Sequence, residues 1–278
     1  MSVQGPESDL LGVDVVIPTF RRAQSLKRCL EALENQTIKP NSIQVIDDSE
    51  DDRGPAFTRN IGWRRGKSPI VAFTDDDCVP SPNWIETIVE AFSDGDTDAI
   101  EGSVKIGGED EDLSMDPHPK DRWNRFKTAN MAYKREVLEA VGGFDERYFI
   151  HREDTDIAWR AINSGFSISW APRCVVNHPD RGGVQRMMPR SEILLFRCDK
   201  NKYVEVASGM ISVKSLRDGR LKEIRRQMRT YRDDFVTPLS RWESLTLWSR
   251  SFVLAVMRKI GARSVSYTHL TLPTKVTV

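Results

Sequence analysis

Two short apolar segments of this chain each end in a run of aspartates. Residues 70–74 (IVAFT) lead directly into the acids 75–77, and residues 42–46 (SIQVI) lead into the acids 47–48. Nearly continuous apolar runs of this length are typical of strands that are buried on both faces of a parallel sheet. Because such strands present their carboxyl ends at one edge, we expect both acid runs to border the same crevice.

The remaining patterns alternate between strands and helices. A third apolar strand is predicted at Val13–Pro18, and a late one at Ser167–Ala171. Amphipathic helices, recognised by apolar residues three and four apart, are predicted at residues 25–33 (with Ser25 as the cap), 84–92, 134–141 and 154–162. A further helix is predicted at residues 54–66, entered after Gly54-Pro55, because Pro is tolerated in the first turn of a helix. Residues 94–119 are predicted to be loop with one short strand. This alternation predicts an α/β fold with a doubly wound, mostly parallel sheet flanked by helices.

Changes of composition divide the chain into four parts. Residues 1–12 are predicted to be a flexible N-terminus, 13–180 the α/β core, and 181–263 a mainly helical, arginine-rich C-terminal appendage. Residues 264–278 (SVSYTHLTLPTKVTV) combine the absence of acids with many Thr and Val, a composition unlike the rest of the chain, and we interpret them as a non-native tail.

Bulk properties exclude several classes of function. The 41 Lys and Arg residues balance 41 Asp and Glu, so no global field favours nucleic acid as a partner. The four cysteines form no CxxC pair, which argues against structural zinc and favours reduced thiols. The N-terminus lacks a basic segment followed by an apolar one, and no window of 18 apolar residues occurs. We therefore expect a cytoplasmic protein.

Residues 242–260 combine aromatic and apolar residues with Arg and Lys, and two interpretations stay open. The segment can lie on a membrane surface as a peripheral contact at the inner face of the membrane. It can also be a helix that packs on the main domain or on a partner, which is the interpretation we favour.

The triplet Asp75-Asp76-Asp77 is the strongest candidate for chemistry. Asp75 and Asp77 stand two apart and share one face in extended chain, where their oxygens can hold Mg²⁺ or Mn²⁺ and leave positions for substrate phosphates. An isolated DDD is more often a solvated turn, but the buried strand before it and the companion acids favour the metal. Asp47 and Asp48 can accept hydrogen bonds from a nucleobase or ribose.

Glu153 and Asp154 form a second acidic candidate, at the start of a predicted helix. Acids at a helix start are ordinarily capping and dipole devices. These two, however, lie just before the apolar face begins, so one of them can project into the crevice as a general base for an acceptor hydroxyl. Arg59, on the helix between the two acidic strand ends, offers a cation near the same crevice, although exposed helix arginines usually serve solubility.

Seven segments in order resemble a family 2 glycosyltransferase of the GT-A type: VVIPTFRR, VIDDSE, GPAFTRNIG, FTDDDCVP, ANMAYKREVLEAVGGFDE, HREDTDIAWR and VVNHP. Their order and spacing match over residues 14–179. The resemblance implies a GT-A fold and an enzyme that transfers a sugar from a nucleotide-diphosphate sugar to a hydroxyl of a glycan or glycolipid, with inversion. Polysaccharide or glycoconjugate synthesis is the pathway class that it implies.

The resemblance also implies roles for single residues. The residues matched to nucleotide-sugar binding are Pro18, Thr19, Arg21, Asp47, Asp48, Arg59, Asp75 and Asp76. Those matched to the divalent metal, Mn²⁺ or Mg²⁺, are Asp77, Asp75 and His178, although His178 can merely close a loop before Pro179. Asp154 matches the catalytic base, supported by Glu153, and Gly143 and Asp145 match a loop that contacts donor or acceptor sugar.

Two alternatives remain beside this assignment. A sugar-phosphate nucleotidyltransferase also combines paired carboxylates with such a sheet, but it favours a glycine-rich basic loop after the first strand, where this chain has TFRR. A non-catalytic nucleotide-binding or scaffold module is the other, and the intact Asp75, Asp77 and Asp154 argue against it.

Overall fold

The chain divides into two compact units, Met1–Leu194 and Leu195–Val278. A computed structural model describes residues 11–93, 95–107, 113–114, 125–179, 200–211, 217–230 and 239–259. Most of the N-terminal segment 1–12, the predicted domain boundary after residue 180 and the predicted tail 264–278 therefore lie outside the described residues.

The first unit is built on one mixed sheet. Its strands are β1 (Val13–Thr19), β2 (Ser42–Asp47), β3 (Ile70–Phe73), β4 (Val79–Pro80), β5 (Ala99–Ile106), β6 (Leu113–Ser114), β7 (Met131–Lys134) and β8 (Ile168–His178). Their spatial order is β2-β1-β3-β7-β5-β8-β4, with β6 paired to β5. The strands β1, β2 and β3 run parallel to one another, as β5 and β8 do, whereas β7 runs antiparallel to both of its neighbours.

Among the described residues of this unit, five helices flank the sheet: α1 (Ala23–Glu34), α2 (Pro55–Arg65), α3 (Trp84–Phe92), α4 (Arg135–Val141) and α5 (Glu153–Asn163). All five were predicted, with boundaries that differ by at most two residues. The capping prediction was wrong, because α1 begins two residues before Ser25 and its N-cap is Arg22, without a side-chain hydrogen bond.

Alternation along the buried strands separates two apolar layers. In β3, Ile70 and Ala72 contact the cluster that includes α1 and α3, whereas Val71 and Phe73 face the cluster that includes α2, α4 and α5. Every β3 side chain is therefore buried, as predicted from its continuous apolar sequence. The α/β fold class and its flanking helices are confirmed.

The sheet differs from prediction on its far side. Residues 94–119 were expected to hold one short strand, but they supply the eight-residue β5 and also β6. The sequence of β5 (AIEGSVKI) does not look like that of a buried strand, because it contains the charged residue Glu101. Glu101 is nevertheless buried, and it accepts hydrogen bonds from Arg125 and from the Phe126 amide. With β7 inserted antiparallel, the sheet is mixed rather than mostly parallel.

The described part of the second unit is helical: α6 (Lys200–Met210), α7 (Leu221–Thr230) and α8 (Arg241–Lys259). A capping box starts α8, since Ser240 Oγ accepts from the Glu243 amide and Glu243 Oε2 accepts from the Ser240 amide. α8 packs on α6, and Glu243 also pairs with Lys200 at 2.6 Å. No helix within the described residues combines the length and hydropathy needed to cross a bilayer.

Candidate active site

The two runs of acids meet at one edge of the sheet, as predicted from the apolar strands that precede them. Thr19 at the end of β1 pairs in register with Asp47 at the end of β2, and β3 delivers residues 75–77 beside them. On the other side, Val79 pairs with Asn177, so that β4 and β8 bring His178 close to Asp77. The site residues therefore come from the carboxyl ends of β1, β2 and β3 and from the end of β8.

The three consecutive aspartates have different surroundings. Asp76 is buried and accepts hydrogen bonds from Thr19 Oγ1 at 2.8 Å and from Arg22 Nη1 at 3.2 Å. Burial raises the pKa of Asp76, while the Thr19 hydroxyl and the Arg22 charge oppose the rise. Asp77 accepts from the same Arg22 nitrogen at 3.2 Å. Asp76 therefore anchors the turn, and the shared Arg22 nitrogen ties Asp77 to it.

Asp75, Asp77, Cys78 and His178 could hold a metal ion, since one ligand atom from each lies within 4.8 Å of the others. His178 Nδ1 lies 2.8 Å from the Pro179 carbonyl, which can only accept, so Nδ1 carries a proton. In a neutral imidazole this leaves the lone pair on Nε2, 3.8 Å from Asp77 Oδ1. Burial raises the pKa of the Cys78 thiol well above its usual range.

Arg59 connects this acidic turn to the second motif. Its guanidinium is buried and donates to Asp75 Oδ1 and to Glu153 Oε1, each at 2.8 Å. Arg59 lies on α2, Asp75 follows β3, and Glu153 begins α5. One side chain thus holds together three segments that are distant in sequence, and Arg59 is not an exposed solubility residue.

Glu153 and Asp154 occupy the first turn of α5 in unlike environments. Glu153 is buried, and its Oε2 has no hydrogen-bond partner in the described part of the chain. Burial raises the pKa of the Glu153 carboxyl to about 7, Asp154 adds to the rise, and Arg59 opposes it. Asp154 is less buried and accepts from the Thr155 amide at 2.7 Å. Two left-handed residues, His151 and Arg152, precede the pair, and strain of this kind is concentrated at functional sites.

The predicted nucleotide residues line the β1–β2 side. Pro18 pairs in register with Ile46, and Asp47 is exposed, with a pKa that hydrogen bonds from Ser49 lower. Asp48 is buried and accepts from the Gly54 amide at 2.6 Å, while its Oδ1 has no partner among the described residues. Arg21 is exposed, and its amide donates to Ser49 Oγ at 3.2 Å.

The loop at Gly143 and Asp145 is fixed by α2. Asn60 uses both ends of its amide: Nδ2 donates to the Phe144 carbonyl at 2.9 Å, and Oδ1 accepts from the Phe144 amide at 2.9 Å. Gly143 has a φ of +76°, and a Cβ there would lie 2.5 Å from Asn60 Oδ1. Asp145 binds the Arg147 guanidinium at 2.8 Å. The structure thus describes this loop as a tightly held element.

Sequence reasoning missed Arg22 and Cys78. Arg22 contacts two of the three aspartates. The resemblance had matched only the neighbouring Arg21, as a nucleotide-binding residue, and the sequence does not tell which of the two turns toward residues 75–77. Cys78 joins the donor group only because the chain turns at residues 75–78, where the Cys78 amide donates to the Asp75 carbonyl at 3.1 Å.

This fold and site define the class of GT-A glycosyltransferases. The model of the family described as glycosyl transferase family 2 matches residues 14–58 and 49–145, and this part of the chain belongs to the family. Glycosyltransferase AglE of Haloferax volcanii is 27% identical over 242 residues, covering 74% of this chain and 75% of that protein. The pre-mycofactocin glycosyltransferase of Mycobacterium tuberculosis is 26% identical over 212 residues, covering 61% of this chain and 43% of that protein.

A solved structure shows the same fold. The crystal structure of S. aureus TarS 1–349 in complex with UDP-GlcNAc superposes with a TM-score of 0.60, covering 90% of this chain and 92% of that chain. At 12% sequence identity, this likeness concerns the fold alone.

Proposed function

We propose that the chain is an inverting glycosyltransferase, which moves a sugar from a nucleotide-diphosphate sugar to an acceptor hydroxyl. The observation that carries the proposal is the pair of 2.8 Å hydrogen bonds from Arg59 to Asp75 and Glu153. They bring Asp75 and its neighbours, which are suited to the donor's diphosphate, next to Glu153 and Asp154, which are suited to the acceptor's proton. Donor and acceptor chemistry thus share one crevice.

In this proposal Asp75 and Asp77 hold a divalent metal, with His178 as a further ligand. Carboxylate oxygens suit Mg²⁺ and Mn²⁺, and the added imidazole favours Mn²⁺ of the two. When bound, the metal supplies positive charge to the departing diphosphate. Arg22, half-exposed beside Asp76 and Asp77, supplies a second positive charge at the same place.

Asp154 takes the proton of the acceptor hydroxyl. The acceptor oxygen bonds to the anomeric carbon as the bond from that carbon to the diphosphate oxygen breaks, and the nucleoside diphosphate leaves with the electron pair. One displacement inverts the anomeric configuration. Asp154 is the more accessible acid of the pair, whereas the buried Glu153, held by Arg59, positions the first turn of α5.

The nucleotide lies on the β1–β2 side in this proposal, with Pro18, Thr19 and Arg21 along the end of β1. Asp48 Oδ1, buried and without a partner among the described residues, is an acceptor that a ribose or base donor can satisfy. The TarS structure holds UDP-GlcNAc, which makes a UDP-sugar the first donor to try. Gly143 and Asp145 are assigned to the sugar side, and the acceptor to the class of glycans and glycolipids used in polysaccharide or glycoconjugate synthesis.

Asp154→Asn tests the proposed base. A panel of UDP-, GDP- and dTDP-sugars with MnCl₂ first identifies the donor by thermal stabilisation of the wild type. With that donor and water as the acceptor, the wild type should release nucleoside diphosphate. The variant should bind the donor within about twofold of wild type, yet release product about 10²–10⁴-fold more slowly, because it keeps the shape and loses the base.

The control is Asp96→Asn, which makes the same change at an exposed residue between α3 and β5 and should leave both quantities unaltered. Equal product release by wild type and Asp154→Asn would end the assignment of the base. Release of pyrophosphate from a nucleoside triphosphate and a sugar phosphate would instead support the nucleotidyltransferase.

A further inference from the structure

Helix α8 carries a continuous apolar stripe on its exposed side. We define the stripe by Trp242, Leu245, Ser249, Phe252, Val253 and Val256. Trp242 is 79% exposed and Val253 53% exposed, and the other apolar members are each more than one third exposed. At 3.6 residues per turn these positions fall within about 100° of the helix circumference. The exposed residues are therefore one surface rather than scattered side chains.

The opposite side of α8 is already used. Leu247, Ser251 and Ala255 are buried at four-residue spacing, α8 packs on α6, and Arg250 donates to Asn201 Oδ1 at 3.3 Å. The packing that fixes α8 within its unit thus leaves the stripe turned outward.

Charge distinguishes this unit from the rest of the chain. Residues 195–278 contain 17 Lys and Arg against seven Asp and Glu, although the whole chain has 41 of each. Helix α7 alone has four basic residues and one acid in ten positions. The only acid of α8 is Glu243, which lies well off the stripe and is neutralised by Lys200.

We propose that the stripe of α8 docks on an anionic lipid surface, with the helix lying in the plane of the interface. Aromatic and aliphatic side chains that project from a basic unit fit an interface in which acyl chains lie beneath negative headgroups. A second copy of this chain fits less well, because it would bring two strongly basic units together. The proposal does not depend on the transfer chemistry proposed for the first unit.

Vesicle flotation with the full chain tests the lipid surface. Vesicles of phosphatidylcholine with about 30% phosphatidylglycerol should bind at least about tenfold more protein than pure phosphatidylcholine. Raising the salt to about 0.5 M should reverse most of that difference, because the headgroup attraction is screened. Binding that is absent, or equal on both vesicles, would overturn the proposal. These comparisons use only the wild type.

The double variant Trp242→Gln/Phe252→Gln tests the stripe itself. It should lower the partition coefficient on the anionic vesicles at least about tenfold, because two exposed aromatic side chains no longer enter the interface. The matched control is Phe149→Gln, which removes one exposed phenyl ring from the first unit and should bind as wild type does. Unchanged binding by the double variant would overturn the proposal.

Sedimentation velocity without lipid tests the alternative that the stripe binds a second copy of this chain. A wild type that is monomeric at micromolar concentration agrees with the lipid surface. A wild-type dimer that the double variant converts to a monomer would assign the stripe to self-association and overturn the proposal.

Discussion

Arg59 Nη1 donates to Glu153 Oε1 at 2.8 Å across a separation of 94 residues, and both side chains are buried. The other arm of the same guanidinium reaches Asp75 at the same distance. One guanidinium thus bridges the two acids inside the protein, at the point where α2 and α5 approach the end of β3.

Removing Arg59 should destabilise the protein strongly. Arg59→Met leaves two carboxylates without their cation and should lower the free energy of unfolding by about 3–5 kcal/mol, measured by urea denaturation. Arg59→Lys should cost less, because the charge stays while the two-armed geometry is lost. Arg65→Met, on the exposed end of the same helix, should change stability by less than about 0.5 kcal/mol. Equal losses at positions 59 and 65 would contradict the bridge.

Glu153 should make stability depend on pH. Its native pKa is raised from 4.5 to about 7, so the native state binds this proton more tightly than the unfolded chain does. The resulting stabilisation is full below pH 4.5 and is lost as pH rises through about 7. Glu153→Gln stays neutral, so its stability relative to wild type should increase between about pH 5 and about pH 8 in urea titrations.

The pH experiment has a matched control in Glu139→Gln, an exposed position on α4. Its difference from wild type should not change over the same range. A Glu153→Gln difference that is equally flat would show that the buried carboxyl keeps its charge throughout, with Arg59 outweighing burial.

Asp77 should govern metal affinity. Asp77→Asn should weaken Mn²⁺ binding at least about tenfold in calorimetric titration, because one carboxylate charge leaves the donor group. His178→Gln should weaken it as well, whereas Asp96→Asn should not. If both site variants bound Mn²⁺ as wild type does, the ligands would lie elsewhere.

Gly142 and Gly143 allow the cost of backbone strain to be measured separately from the cost of a steric clash. Gly142 and Gly143 have φ values of +75° and +76°, but a Cβ meets nothing within 4 Å at Gly142 and lies 2.5 Å from Asn60 Oδ1 at Gly143. Gly142→Ala should therefore cost only the left-handed strain, about 1 kcal/mol. Gly143→Ala should cost about 1–3 kcal/mol more by urea denaturation. Equal costs would mean that the loop moves freely away from α2.

The elements that were predicted well from the sequence are those whose apolar residues form a regular pattern. The continuous apolar run of β3 and the spacing in α3 located both segments to within a residue, and the aspartates after β3 followed from the strand. β5 was not recognised, because the partners that make Glu101 tolerable, Arg125 and the Phe126 amide, lie more than 20 residues away. Pairings of that kind are absent from any local pattern.

The candidate site shows the same division. The types and approximate positions of its acids could be predicted, because a parallel sheet gathers its strand ends. The burial of Arg59 between Asp75 and Glu153, and the choice of Arg22 to contact the aspartates, depend on tertiary packing. No spacing rule connects residues on three different elements.

Asn60 carries a consequence for protein engineering. Besides its two hydrogen bonds to the Phe144 backbone, Asn60 donates from Nδ2 to Glu146 Oε1 at 3.0 Å, and its Oδ1 accepts from Trp63 Nε1 at 3.1 Å. Both hydrogens of the amide nitrogen and both lone pairs of the amide oxygen are therefore used. A chimera that exchanges residues 142–146 between relatives must therefore transplant positions 60 and 63 with them. A grafted loop without its helical template would lose the shape for which it was chosen.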